Sequence, residues 1–466
     1  MLICAFYGMS IEEWLSSKAL LSVGLTLACI GSLFVILLRG EKISLKPKDG
    51  YIISLTTWVF CSLAGSIPFI ILGYPVSSSI FESVAAFTTT GCTVFDLNFM
   101  PKSLILWRAI SNWLGGIGVL VLVVTMFQTL GVNAKSLVVS ESSASSFENL
   151  GNRFSDTSKF LYITYAIFTL LEFVLLAAGP LSSFDAIINT FASISTSGLI
   201  ITAANSSALF TNYSRAIILL FTILTSLNFY LYYYLLKGKW KKILGNMEVK
   251  TFLLIIAFAS LLVGADLYFQ GGYHSIRRAL WDAVCQVASF ISTAGYPIVN
   301  YTRWPMFATM ILFSLVLIGG CSMSTSGSLK VIRIVTLFKL IERRIFKQVH
   351  PNGIRPIKID GKPVPSERVS SITTHIMLFF MILICSCIIL GFNNLDLETT
   401  ITTVLGLFTT TGLSLGMSGS SGFFGMFSPM SMYFMSLLMI AGRLEIYTIL
   451  IMFTKSFWLT NRANVI

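Results

Sequence analysis

FTTTG at residues 87–91, ISTSG at 194–198, ISTAG at 291–295 and FTTTG at 408–412 are four versions of one short polar signature, set in sequence that is otherwise membrane-grade. Each closes a Ser/Thr-rich apolar stretch, at 78–90, 185–197, 281–294 and 398–411. Such stretches are too short to cross about 30 Å of hydrocarbon and too apolar to be open loops, which predicts re-entrant helices that return on the face they entered. Their polar ends then lie at membrane depth. The closing glycines, Gly91, Gly198, Gly295 and Gly412, are far enough apart for two spanning helices, one re-entrant helix and loops in each copy. The predicted fold is an all-α integral membrane protein in which four pseudo-symmetric repeats of helix, pore helix, filter and helix surround a central pore.

Longer apolar spans flank these stretches, near 17–38, 51–74, 105–130, 159–178, 213–236, 251–267, 305–320, 371–391 and 429–454. They divide the chain into an N-terminal membrane helix region (1–48), repeat 1 (49–133), repeat 2 (155–243), repeat 3 with a broken second helix (249–345) and repeat 4 (369–458). Composition agrees, since a mean hydropathy of +0.82 with 11% charged residues over 466 residues cannot present an ordinary soluble surface. The net charge of +12 lies in short blocks between spans and reads as a topology signal, not as a nucleic-acid surface. Lys42, Lys46 and Lys48 precede repeat 1, Lys135 and Arg153 follow it, and Lys237 to Lys250 follow repeat 2. The densest block runs from Lys330 through Arg343 and Arg344 to Arg368, before repeat 4. The positive-inside bias therefore places the inter-repeat connections in the cytoplasm and the re-entrant segments on the opposite face.

The N-terminus admits two readings. One span before repeat 1 puts Met1 outside, or else the first residues belong to a further helix; MLICAFYGMSIEEW lacks the basic start and cleavage site of a secretory signal, so no cleavage is expected. Eight cysteines in apolar stretches, with no C-x2-C spacing, read as free thiols.

The chemistry of the repeated signature is coordination. Glycine at the end of each run adopts backbone angles closed to other residues and lets neighbouring segments approach an axis. Inward carbonyls then replace the hydration shell of a monovalent cation. The candidate filter comprises Thr89, Thr90 and Gly91; Thr196, Ser197 and Gly198; Thr293, Ala294 and Gly295; and Thr410, Thr411 and Gly412. Candidate ligands are the carbonyls of Thr90, Gly91, Ser197, Gly198, Ala294, Gly295, Thr411 and Gly412. One Thr-Gly pair would be read as helix packing, whereas four at matching positions reverse that. Glu82, Asp96, Asp185, Asp282 and Asp396 are candidates for concentrating cations at the outer mouth, or else helix caps. No catalytic constellation competes: His274, His350 and His375 are dispersed, and no H-E-x-x-H, Walker A loop or nucleophile elbow is present.

Two features interrupt the spans. Gly319, Gly320, Cys321, Ser322, Met323, Ser324, Thr325, Ser326, Gly327 and Ser328 have poor helix propensity at membrane depth, which predicts a movable loop below the filter, against a small-residue packing interface as the plainer reading. Arg443 lies inside the last span, where a charge needs a wet pathway or a partner such as Glu445. The expectation is a guanidinium that faces the pathway and acts as a positive barrier.

These filter runs, the WRAISNWLGGIGVLVL stretch at 107–122, the loop at 319–330 and the GRLE at 442–445 follow one another in the order of a known family's motifs. The chain resembles the Trk/Ktr/HKT potassium transporter superfamily and, within it, the bacterial Trk-type transmembrane subunit, over almost its whole length from about residue 40. The resemblance implies potassium uptake across the bacterial inner membrane, potassium as the bound ion at the filter carbonyls, and gating by Gly319, Gly320, Ser322, Ser324, Thr325, Ser326 and Gly327 together with Arg443. It further implies a homodimer and a cytoplasmic nucleotide-binding regulatory subunit of TrkA type, through which alone a nucleotide would act. Sodium-coupled potassium symport, a less selective channel for potassium, sodium and rubidium, and an intramembrane enzyme remain the alternatives. Members usually carry two helices before the first repeat, where this chain has one full span.

Overall fold

In the computed structural model, residues 1–39, 47–129, 154–198, 211–353, 355–419, 424–444 and 446–455 are described. Each repeat begins with a long outer helix, Pro47–Ile71, Phe154–Ala177, Met247–Phe269 and Ser366–Leu390. A short pore helix follows in each: Val76–Phe87, Ser183–Ile194, Ile276–Ile291 and Leu397–Phe408. An inner helix then returns through the layer, starting at Lys102, Asn212, Met306 and Pro429. The outer helices are apolar nearly all round, as segments in lipid must be.

The inner helices close the ring. Each packs on the pore helix of the next repeat, one on two, two on three, three on four and four back on one. That cyclic order builds a pseudo-fourfold pore from one polypeptide and leaves the four pore helices buried at its centre. Glycines set the closest approaches. A Cβ on Gly115 would lie 1.9 Å from the Phe87 carbonyl oxygen, and one on Gly442 would lie 2.0 Å from that of Phe408. The same inner-helix site thus meets the last turn of the pore helix in repeats 1 and 4.

Only the first inner helix, Lys102–Thr129, is continuous. The spans read as unbroken at 213–236 and 429–454 are each two helices, Asn212–Ser226 with Tyr230–Leu236, and Pro429–Arg443 with Ile446–Met452. They bend by 101° and 111°. In repeat 2 the break falls at Leu227-Asn228-Phe229, where the Asn228 side chain caps the new helix by accepting the Tyr230 N–H at 2.9 Å. One asparagine in an apolar run is a weak sequence signal, so periodicity does not reveal it. Repeat 3 breaks as expected, with Met306–Ile318 ending at Gly319 (φ 77°) and Val331–Val349 resuming after the loop.

The N-terminal region is a helical hairpin. Leu2–Ser10 packs on Trp14–Leu37, with Met1 and Leu2 lying against Gly24, so the first residues belong to a further helix, the second of the two sequence alternatives. Glu13, at the turn, accepts the amides of Lys102 and Ser103 at 2.8 and 3.0 Å and so caps the first inner helix. That contact places the turn at the end of the bundle where the first inner helix starts, and Arg39 at the opposite end.

A small antiparallel hairpin, Lys358–Ile359 with Lys362–Pro363, lies in the basic segment before repeat 4, which sequence reading treats as plain loop. Its Asp360-Gly361 turn, with φ of 48° and 80°, is the Asp-Gly signal of a two-residue hairpin. All described cysteines are free, four of them buried.

Replacing Gly442 by alanine should cost about 1–3 kcal/mol through overpacking on the Phe408 carbonyl. Thermal unfolding in detergent, followed by size-exclusion chromatography, checks this: an unchanged midpoint would mean that the helix shifts freely and that the approach is not a constraint.

Candidate functional site: four filter segments and the loop beneath them

The end of each pore helix repeats one backbone geometry. Thr89 and Thr196 have φ of 54°, Thr293 and Thr410 of 56°, and the glycines two residues on have φ of 76°, 61°, 69° and 70°. A β-branched residue in the left-handed region is a true outlier. Four at one position are a designed feature. Hydrogen bonds hold the strain: the amides of Thr90, Ser197, Ala294 and Thr411 bond at 2.8–3.0 Å to the carbonyls of Ala85, Ala192, Ser289 and Gly406, each five residues back. Small residues at those positions let the chain fold back over the helix end.

Each segment thus turns amides into its own pore helix. A Cβ on Gly198 would lie 1.9 Å from the Ala294 oxygen, one on Gly295 1.9 Å from that of Thr411, and one on Gly412 2.0 Å from that of Thr90. The segments therefore follow one another around the axis, carbonyl against glycine. The pore helices aim their C-termini at this point, and the negative end of the helix dipole favours a cation there.

The acids divide into two groups. Glu82 is not a mouth residue, being fully buried and paired with the equally buried Arg108. Its carboxylate also accepts from Thr93 Oγ1 and the Val94 amide at 3.0 Å, and Arg108 donates to the Cys92 carbonyl. This ion pair buttresses the chain leaving the first filter. Asp282 is likewise buried, held by Arg215 at 3.1 Å and by the Tyr273 hydroxyl at 3.0 Å. Asp396 caps its pore helix by accepting the Thr399 amide at 2.9 Å, whereas Asp185 lies in the first turn of a helix capped by Ser182, whose hydroxyl accepts the Asp185 amide at 3.1 Å and donates to its carboxylate at 2.7 Å. The Thr399 hydrogen bonds hold the Asp396 carboxyl below the usual carboxylate range. Asp96 is exposed, in a turn closed on the Asn98 amide.

The loop at 319–328 lies against the inner side of the filter. The Gly327 amide donates to Thr293 Oγ1 at 2.7 Å, and a Cβ on Gly327 would lie 2.2 Å from Thr410 Oγ1. Gly319, Gly320, Ser322, Ser324, Thr325 and Ser326 are all buried. The break of repeat 2 supports the loop, Ser226 accepting the Cys321 amide at 2.9 Å and Thr225 the Thr325 amide at 3.3 Å. Arg443 is 6% exposed and is not an open barrier: it donates to the Thr325 carbonyl at 2.7 Å and to the Gly115 carbonyl at 3.4 Å. Its guanidinium binds the loop itself, because a broken loop supplies the free carbonyl that hydrocarbon cannot. Glu445 lies outside the described residues.

Residues 16–459 match the family model described as TrkH, cation transport protein. The chain belongs to that family. Among its curated relatives, the Trk system potassium uptake protein TrkH of Escherichia coli (strain K12) is 29% identical over 90% of this chain and 88% of its own length. The TrkH of Vibrio parahaemolyticus is 30% identical over 90% and 88%. TrkG of Escherichia coli is 29% identical over 92% and 89%. The crystal structure of the potassium transporter TrkH from Vibrio parahaemolyticus superposes with a TM-score of 0.85 at 26% identity, covering 98% of this chain and 97% of that one.

Sequence reading did not find Arg108 or Glu13, whose partners are distant in the chain; an arginine inside the span at 105–130 was the available signal, by the intramembrane-charge rule applied to Arg443. Replacing Arg108 by methionine leaves the buried Glu82 uncompensated and should cost about 3–5 kcal/mol, while the Glu82→Gln/Arg108→Met pair recovers much of it. Unfolding midpoints of the two purified variants check this: a double variant no more stable than the single one would refute the buttress.

Proposed function

We propose that the chain takes up potassium across the bacterial inner membrane, through a filter of backbone carbonyls at Thr90, Gly91, Ser197, Gly198, Ala294, Gly295, Thr411 and Gly412. The observation that carries this reading is the fourfold left-handed Thr-x-Gly backbone, with carbonyl against glycine between successive repeats. Oxygen rings of that kind suit a dehydrated monovalent cation as the transported substrate. The names of the relatives, all potassium uptake proteins, support potassium.

In this reading the loop Gly319–Ser328 is the gate. Arg443 is its latch, because its bond to the Thr325 carbonyl holds the loop at the level where an ion leaves the filter. Coupled sodium symport remains the alternative, since filter geometry is common to conduction and coupling. An enzyme is disfavoured, since the relatives are named as potassium uptake proteins. The resemblance and the basic cytoplasmic connections support two partners, a second copy of the chain and a nucleotide-binding regulatory subunit of TrkA type.

Purified protein in liposomes, with imposed potassium and sodium gradients under controlled voltage, tests the reading directly. Serine at Gly198, Gly295 or Gly412 should lower the potassium-to-sodium ratio about tenfold or more, since the added side chain meets a filter carbonyl at a backbone angle it rarely adopts. Unaltered selectivity in all three folded variants rules out the filter. Arg443→Gln, which weakens the bond to the Thr325 carbonyl, should raise basal flux while leaving selectivity in place; wild-type flux in the folded variant would make Arg443 a packing residue.

A further inference from the structure

The loop is also held from the cytoplasmic side, by an acid. Glu248, near the start of the third outer helix, is 1% exposed, and its Oε1 accepts the Ser322 amide at 2.6 Å. Its Oε2 has no hydrogen-bond partner, so the carboxylate is committed to Ser322. A carboxylate oxygen that accepts a backbone amide makes a charge-assisted bond. Glu248 therefore acts at the start of the loop, as Arg443 acts at its middle.

The position of Glu248 is fixed by the hairpin at Lys358–Pro363. Asp360, at the turn, accepts the Met247 amide at 2.7 Å and the Asn246 side-chain amide at 3.3 Å, while Asn246 itself caps the helix through the Val249 amide at 3.0 Å. The helix end that carries Glu248 is thus bonded to a hairpin outside the membrane. A second bond, from Lys339 Nζ to the Lys358 carbonyl, ties that hairpin to Val331–Val349, the helix that leaves the loop. One cytoplasmic element therefore grips both ends of the loop.

We infer that Glu248 is a positioning residue of the gate and that the Asp360 hairpin sets it: while Asp360 holds Met247, Glu248 keeps Ser322 in the closed loop, and moving the hairpin releases it. This rests on the reading of 319–328 as the gate. It gives a displacement in the cytoplasm a bonded route to the pore through two hydrogen bonds and one peptide link, Asp360 to Met247, Met247 to its chain neighbour Glu248, and Glu248 to Ser322.

Basal potassium flux of the full chain in liposomes, with the potassium-to-sodium ratio as second readout, tests it. Asp360→Ala and Glu248→Leu should each raise flux about tenfold, the loss of one charge-assisted bond, with the ratio unchanged. Glu248→Gln, which keeps an acceptor at the same atom, should fall between these and wild type. The Asp360→Ala/Glu248→Leu pair should leak no more than the leakier single variant. Asp360 lies outside the membrane, so its variant keeps the test open if Glu248→Leu fails to fold. Wild-type flux in folded Asp360→Ala and Glu248→Gln overturns the linkage, and so does an increase that persists at full size when the loop is shortened. A shortened-loop protein that gains no flux overturns the gate reading instead, which separates the two failures.

Discussion

The structure depends on where the amides of the filter go. Each segment turns its N–H groups back onto its own pore helix, and that one hydrogen-bonding choice is what leaves the carbonyls free for the proposed filter. It requires left-handed backbone at Thr89, Thr196, Thr293 and Thr410, a conformation costing roughly 1–2 kcal/mol per residue. It also requires small residues at Ala85, Ala192, Ser289 and Gly406, over which the chain folds back. The cyclic packing of inner helices on successive pore helices then keeps four strained segments from relaxing outward.

Backbone symmetry does not extend to the side chains. The first filter is buttressed by Glu82 and Arg108, whereas Tyr296 braces the second and third, its hydroxyl donating to the Asn189 carbonyl at 3.0 Å and its carbonyl accepting from Ser289 and Gln286. In hydrocarbon a lone charge is costly, so each buried charge among those described here has a stated hydrogen-bond partner or counter-charge. Arg108 has Glu82 and the Cys92 carbonyl, Arg443 has the loop, and Glu248 has Ser322. The charges mark where one repeat must differ from the others.

Much of this was legible from residues alone. Four glycine-ended runs gave the repeats, and Gly319 to Ser328 gave the break of the third inner helix, because both signals are local and compositional. The breaks at Asn228 and after Arg443 were not legible. Their flanks, Phe221 to Leu224 and Met435 to Ile440, are as apolar as any continuous span, and the free backbone groups are satisfied by residues far away in the chain, as with Phe229 N–H on the Met323 carbonyl at 3.2 Å. The acids were legible as residues and not as roles. Glu82 and Asp396 are both read as mouth acids in sequence, and only the side-chain environment, Arg108 in one case and the Thr399 amide in the other, separates a buried buttress from a helix cap.

The loop and the filter share atoms, and this constrains any opening motion. Gly327 donates to the hydroxyl of Thr293, a filter residue held at φ 56°, and it packs so closely on Thr409 and Thr410 that only glycine fits. Withdrawing the loop therefore removes a hydrogen bond from one of the four strained threonines and leaves the hydroxyls of Thr89 and Thr410, already without partners, no worse off. Repeat 3 loses a hydrogen bond at Thr293, and repeat 4 loses the close packing on Thr409 and Thr410. The loop thus cannot move without altering the hydrogen bonding of Thr293 and the packing on Thr409 and Thr410 above it.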